Sequence, residues 1–256
     1  MGLVEEVLGM VDVKGRWAFI TGASRGVGYQ TALFMAKQGC NLIIHSRKKE
    51  HNQKVLAEVT ALGVKAYSVE AELSSLPEVD KLLEEIDGFG VDVDILFNNA
   101  GISFYRPDYM NTPIEDFVHS FEVNVTAPVR LCYHFLPKMQ EREFGRIINI
   151  ISGIKNQPKQ AAYSASKSAL EKFTKDLSTV LQGTNVCMNL TDPGWCRTDL
   201  GGEDAPNDVI TCMPGIVVGA FIEDQRSGRL LPAQMFRGMS LEQAVTLAEC
   251  TGNTIG

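Results

Sequence analysis

Apolar residues recur in short runs, Trp17 to Thr21, Asn41 to His45, Lys65 to Val69, Asp94 to Phe97, Arg146 to Ile151 and Val186 to Leu190, separated by longer stretches of helical pattern. Strand-length runs that alternate with helical segments predict an α/β fold built on a doubly wound parallel sheet with helices on both faces. Ile147, Ile148, Ile150 and Ile151 leave one run almost continuously apolar, as suits a strand covered on both sides. A helix start is expected at Thr112-Pro113-Ile114-Glu115, with Thr112 as N-cap, Pro113 in the first helical position and Glu115 completing a capping box. Asn124 then falls within or after that helix. Val4, Val7, Leu8 and Val11 line one face of a short helix in an N-terminal extension, residues 1–14, ahead of a single domain over residues 15–256. From Gly194 to about Gly228 the pattern loosens under Gly201, Gly202, Pro206, Pro214, Gly215 and Gly219. A mobile substrate loop carrying Trp195, Met213 and Phe221 is expected at about 195–228.

Composition narrows the class. Of 256 residues 45% are hydrophobic and 21% charged, enough to bury a sizeable core. A net charge of -7 argues against a general nucleic-acid or anionic-membrane surface. The six cysteines are scattered with no C-x-x-C pair, so neither a zinc site nor a disulfide framework is expected, and a reducing, cytoplasmic setting is. Met1 to Val13 carries no basic n-region, no apolar run approaches the roughly 18 residues of a membrane span, and Glu6 breaks the N-myristoylation pattern.

The candidate chemistry lies at strand ends. The first strand runs into Thr21-Gly22-Ala23-Ser24-Arg25-Gly26-Val27-Gly28 and then a helical stretch. Strand, glycine turn and helix is a phosphate-binding context. Glycine tolerates positive φ and lets a dinucleotide approach the backbone, while the helix N-terminus offers unpaired amides to pyrophosphate. Further along, Tyr163 and Lys167 stand at i and i+4, on one helix face. A neighbouring ammonium favours phenolate, so Lys167 is expected to lower the Tyr163 pKa from its ordinary value of about 10.

The spacing Gly22-x-x-x-Gly26-x-Gly28, the segment Asn98-Asn99-Ala100-Gly101, Ser152 after its strand, Tyr163-x-x-x-Lys167, Asn124 and Pro193-Gly194 with Thr198 occur here in one order. Together they resemble the short-chain dehydrogenase/reductase family over roughly residues 15 to 200. The resemblance implies a Rossmann-like, dinucleotide-binding catalytic domain and a tetrad of Asn124, Ser152, Tyr163 and Lys167. Tyr163 would act as general acid, Ser152 would bind the substrate carbonyl, Lys167 would tune Tyr163 and hold the nicotinamide ribose, and Asn124 would link Lys167 to solvent through a water. It further implies cofactor contacts from Gly22, Ser24, Arg25, Gly26, Val27, Gly28, Leu73, Asn98, Ala100, Gly101, Tyr163, Lys167, Pro193, Gly194 and Thr198. Glu72 stands where the family usually has an Asp near the adenine. No metal is called for.

After the second strand comes Ser46-Arg47-Lys48-Lys49, with no carboxylate to bind a ribose 2′-hydroxyl. Ser46, Arg47 and Arg25 are therefore expected to take a 2′-phosphate, giving NADP, with NADPH preferred over NADH. The resulting expectation is an NADPH-dependent reductase of a ketone or aldehyde. Its substrate would be a small, apolar carbonyl compound shaped in part by Ser103, Phe104 and Tyr105, with no nucleic acid or membrane partner. Assembly would be as a homodimer or homotetramer, although the Asp-Gly-Gly ending of many tetrameric members is missing. Two rivals stand beside it: an NAD-linked alcohol or hydroxysteroid dehydrogenase, and a dinucleotide-binding regulator without catalysis.

Overall fold

A computed structural model of the chain describes residues 9–251. Seven strands form one sheet in the order β3-β2-β1-β4-β5-β6-β7, every neighbouring pair parallel. They are β1 (Trp17–Ile20), β2 (Asn41–Ser46), β3 (Ala66–Glu70), β4 (Val93–Asn98), β5 (Gly145–Ile150), β6 (Val186–Asp192) and β7 (Leu230–Pro232). The helices are α1 (Gly26–Lys37), α2 (Gln53–Ala61), α3 (Leu76–Gly88), α4 (Ile114–Phe121), α5 (Ala127–Glu141), α6 (Ala161–Ser178) and α7 (Leu241–Cys250). This is the doubly wound parallel α/β architecture expected from the alternation of runs. Among the described residues no helix is long and apolar enough to cross a membrane.

Successive strand residues point to opposite faces, and each face has its own core. Ala18, Ile20, Leu42, Ile44, Phe97 and Ile148 pack with α1, α2 and α7, whereas Phe19, Ile43, Leu96, Ile147 and Met188 pack with α3 and α5. The winding reverses between β1 and β4, so the turns after those two strands diverge at the carboxyl ends and open a crevice, the usual place for a ligand in such a sheet. Both Gly22–Gly28 and Asn98–Gly101 lie there.

Three expectations change. Thr112 does not cap α4: its hydroxyl donates to the Tyr109 carbonyl at 2.9 Å, and extended Pro113 occupies the cap position, so the helix opens one residue late. A hydroxyl can close the turn before it as readily as the helix after it, and here the earlier turn has it. The full capping box belongs instead to Ser240 and Gln243 at the start of α7. The stretch 195–228 is not one open loop either: Cys212, Ile216, Val217, Val218, Ala220 and Phe221 are buried in the core over β5 and β7. Its apolar content outweighs its glycines. Val4, Val7 and Leu8 lie outside the described residues, while Val11 is buried and non-helical, its amide donating to the Phe221 carbonyl at 2.9 Å.

Candidate active site

The glycine turn is shaped by close approach. Gly22 and Gly26 have φ of 65° and 58°, in the left-handed region that glycine adopts without strain. A Cβ on Gly22 would lie 2.9 Å from the Ala100 Cα, and one on Gly28 2.3 Å from the Gly22 carbonyl oxygen. The turn is thus pressed against the end of β4. Thr21 and Asn99 lock it there: the Asn99 and Ala100 amides donate to Thr21 Oγ1 at 3.0 Å, and Asn99 Nδ2 donates to the Thr21 carbonyl at 2.8 Å. Helix α1 then starts with no side-chain cap and no acidic residue in its first turn, and Val27 follows half-buried. Its leading amides are left for an anion. Ser24, half-buried beside them, has a hydroxyl with no partner among the described residues. A cradle that a Cβ would fill, backed by unclaimed donors, fits a dinucleotide pyrophosphate.

His45 was not singled out in the sequence, yet it fixes this turn. The Gly22 amide donates to its Nδ1 at 3.3 Å, and its Nε2 donates to the Ala71 carbonyl at 3.1 Å. Burial pushes its pKa down to about 4, so the ring is neutral and can accept at one nitrogen while donating at the other. The available signal was a polar residue closing an otherwise apolar buried run, Leu42-Ile43-Ile44-His45.

At the end of β2, Ser46 is buried and its hydroxyl donates to the Lys48 carbonyl at 2.7 Å, whereas Arg47 is exposed with no partner among the described residues. Arg25 is not free. Its Nη1 meets Asp199 Oδ2 at 2.6 Å, and both side chains are about two-thirds exposed. Glu72 accepts from the Ser74 amide at 3.2 Å, and Leu73 is buried in the core. Asn98 is brought near the crevice only by its backbone: its Nδ2 donates to Asn149 Oδ1 at 2.7 Å inside the protein, and Asn149 in turn donates to Thr174 of α6. That side chain ties β4 to β5 and does not face a ligand.

At the carboxyl ends of β5 and β6 the other group of side chains converges. Helix α4 continues into α5 through a π turn, Glu122–Thr126, and the extra residue turns Asn124 fully inward. Its amide clamps Ile102 on both sides, accepting from that residue's N–H and donating to its C=O at 2.9 Å each, and it also donates to Ser166 Oγ at 2.9 Å. This holds the Gly101–Ile102 backbone beside Lys167, whose Nζ would lie 3.4 Å from a Cβ on Gly101. Lys167 is buried and donates to the Ile150 carbonyl at 2.7 Å. Burial pushes its pKa down to about 8, against the opposing pull of the Asp192 carboxylate.

Tyr163 sits one helical turn before Lys167, buried, with the Lys167 Nζ 5.9 Å from its ring centroid. The expected lowering of its pKa by Lys167 is not what the geometry gives. Burial pushes the phenol up to about 12, the neighbouring Ser152 hydroxyl pulls the other way, and Asp192 adds to the rise. The ammonium is directed to the Ile150 carbonyl, and desolvation is the largest influence on the phenol. Ser152, half-buried after β5, accepts from the Ile154 amide at 3.4 Å.

Asp192, absent from the expected site, ends β6 with its carboxylate bridging two loops. Oδ2 accepts from the Gly153 amide and Oδ1 from the Gly194 amide, each at 2.9 Å. The Pro193 carbonyl is held by Gln234 Nε2 at 2.8 Å. Thr198 Oγ1 accepts from the Gly201 amide at 3.0 Å, and its methyl would lie 3.3 Å from a Cβ on Gly26, so this loop rests on the glycine turn. Ser103 accepts from Gln160 at 3.1 Å and the Arg106 amide donates to Lys159 at 2.8 Å, joining the loop after β4 to the one before α6. The structure therefore gathers Asn124, Ser152, Tyr163 and Lys167 at one end of the sheet and the glycine turn, Arg47 and Arg25 along the crevice beside them.

Comparison with known proteins agrees with this fold. Residues 16–208 match the short chain dehydrogenase family. The chain is 34% identical over 186 residues to an uncharacterized oxidoreductase of Bacillus subtilis, covering 72% of this chain and 70% of the relative. It is also 34% identical over 193 residues to a 3-oxoacyl-[acyl-carrier-protein] reductase of Aquifex aeolicus, covering 74% and 77%. Among solved structures, a metagenomic short-chain oxidoreductase in complex with NADP superposes with a TM-score of 0.66 at 30% identity, covering 72% of this chain and 84% of that one.

Proposed function

Since the chain belongs to the short-chain dehydrogenase/reductase family and is an NAD(P)-dependent oxidoreductase, we propose that it uses NADPH to reduce a ketone or aldehyde to the alcohol. The observation that carries this reading is the gathering of Ser152, Tyr163 and Lys167 at the carboxyl end of a sheet whose β2 end bears Arg47 and no carboxylate. The NADP complex of a relative supports the choice of cofactor.

The dinucleotide would lie along the crevice, its pyrophosphate on the Gly22–Gly28 turn and Ser24, its 2′-phosphate at Arg47 and Arg25, and its nicotinamide end between Lys167 and Thr198. When bound, the reduced nicotinamide supplies the hydride. The protein's part is acid–base and positional. Ser152 donates a hydrogen bond to the carbonyl oxygen and thereby polarises it, and Tyr163 gives its proton to that oxygen as negative charge develops there. A phenol held up to about 12 stays fully protonated at neutral pH, as a donor must. Lys167, with its pKa near 8, is the group able to return a proton to the phenolate, and Asn124 keeps the backbone beside it in place.

Small-molecule carbonyl compounds are the proposed substrates, admitted past the loops 103–106, 154–160 and 195–211. The exposed stripe of Ile114, Val118 and Phe121 on α4, with Tyr133 on α5, supports assembly as a homodimer or homotetramer, and six free thiols suit the cytoplasm. The experiment is a ketone and aldehyde panel run with both cofactors, alongside their dissociation constants. NADPH should bind more tightly, and Ser46→Asp should narrow or reverse the difference by placing a carboxylate against the 2′-phosphate. Equal affinities in the unaltered protein would contradict the cofactor assignment, and failure of every carbonyl compound would contradict the reaction.

A further inference from the structure

Two cysteines sixteen residues apart meet under the loop that rests on the glycine turn. Cys196 Sγ and Cys212 Sγ are 3.5 Å apart, both buried, in contact across a segment that carries Thr198 and Asp199. The surroundings hold each sulfur on its own side. Cys196 lies over the Pro193 carbonyl at 3.3 Å, Cys212 donates to the Val209 carbonyl at 2.8 Å, and a parallel bridge pairs Cys196 with Asn207. The other four cysteines are placed elsewhere, and Cys250 is exposed at the far end of α7. No other cysteine pair is in contact among the described residues.

We propose that Cys196 and Cys212 form a dithiol site that hydrogen peroxide converts to an intramolecular disulfide. The gap to close is small, from 3.5 Å to the roughly 2 Å of an S–S bond, and the loop that bears Cys196 lies at the surface, with Trp195, Leu200 and Ile210 exposed around it. The contact between the two sulfurs lowers the pKa of Cys196 and raises that of Cys212, which makes Cys196 the attacking sulfur. In the first step the Cys196 thiolate attacks one peroxide oxygen. The O–O bond breaks, the sulfur becomes a sulfenic acid, and the departing hydroxide takes up a proton as water. In the second step the Cys212 sulfur attacks the sulfenic sulfur, the S–S bond forms, the S–O bond breaks, and the Cys212 proton leaves with the oxygen in a second water. Two thiols are oxidised and one peroxide is reduced to two waters.

The bond would close the segment from 196 to 212 into a ring that holds Thr198 against Gly26 of the glycine turn. Its consequence rests on the cofactor reading above: NADPH should leave the oxidised protein more slowly than the reduced one.

The test is peptide mapping of the full-length protein after peroxide, with and without later dithiothreitol. Two of the six thiols should resist alkylation, the Cys196 and Cys212 peptides should appear joined with the loss of two hydrogens, and dithiothreitol should restore both. Cys212→Ser should stop at a sulfenic acid on Cys196 that dimedone traps, while Cys250→Ser should leave the cross-link intact. The wild-type map stands by itself if the buried substitution disturbs folding. Six alkylated thiols, over-oxidation of Cys196 without a cross-link, or a bond to any other cysteine would overturn the site. An unchanged NADPH dissociation rate in cross-linked protein would overturn the consequence alone, and absence of NADPH binding in either form would speak against the cofactor reading and leave the disulfide standing.

Discussion

The Asp192 carboxylate accepts from the Gly153 amide at 2.9 Å and so ties the end of β6 to the residue that follows Ser152. Its charge also raises the pKa of both Tyr163 and Lys167. Asp192→Asn keeps the shape and removes the charge, so both groups should lose their protons at lower pH. Reduction needs the protonated phenol, so the alkaline fall in turnover should move to lower pH in the variant, most clearly in the reductive direction. Superimposable pH–rate profiles would show that Asp192 acts only as a loop tie.

His45 gives the fold a defined acid sensitivity. Its folded pKa, about 4, lies below the ordinary 6.5, so the unfolded chain binds the extra proton first and stability is lost as pH falls through that interval. From neutrality to pH 5 the loss from this group is about 2 kcal/mol. Urea unfolding of the wild type and of His45→Leu at pH 7 and pH 5 isolates it. The variant should be less stable at pH 7, because the Gly22 amide and the Ala71 carbonyl lose their partner, and the gap should shrink at pH 5. A gap that does not change with pH would mean that folding leaves the His45 pKa at its ordinary value.

Much of this site was legible in the sequence because its parts are local. The glycine turn, Tyr163 with Lys167 one turn later, and the parallel strands all follow from spacing and from apolar runs buried on both faces, as in β5, where Gly145–Ile150 is buried throughout. What escaped depends on contacts between distant segments. Asp192 reads as an ordinary loop carboxylate until Gly153 arrives beside it, and Cys196 and Cys212 read as scattered thiols until residues 212–222 pack over the sheet. The same packing explains why β7, three residues long, went unread: its partner β6 defines it more than its own pattern does. Ser46 shows the limit from the other side, since its position was legible and the turn of its hydroxyl toward Lys48 was not.

Arg25 is held by Asp199 in an exposed ion pair that a 2′-phosphate would have to break. Exposed pairs of this kind are worth about 0–1 kcal/mol, so Asp199→Asn should tighten NADPH by up to about fivefold. NADH, which has no 2′-phosphate, should be unaffected. Isothermal titration of both cofactors decides the matter, and equal tightening of NADH would place the effect in the loop rather than in Arg25.

The central claim is that the buried Tyr163 phenol delivers the proton while other residues hold the dinucleotide, and Tyr163→Phe separates the two roles. The measurement is the rate of NADPH oxidation with a turned-over ketone, taken together with the NADPH dissociation constant of the same preparation. General acid catalysis is typically worth 10²–10⁴-fold, so turnover should fall by about that factor while the dissociation constant stays close to the wild-type value. Near-wild-type turnover in Tyr163→Phe would contradict the account.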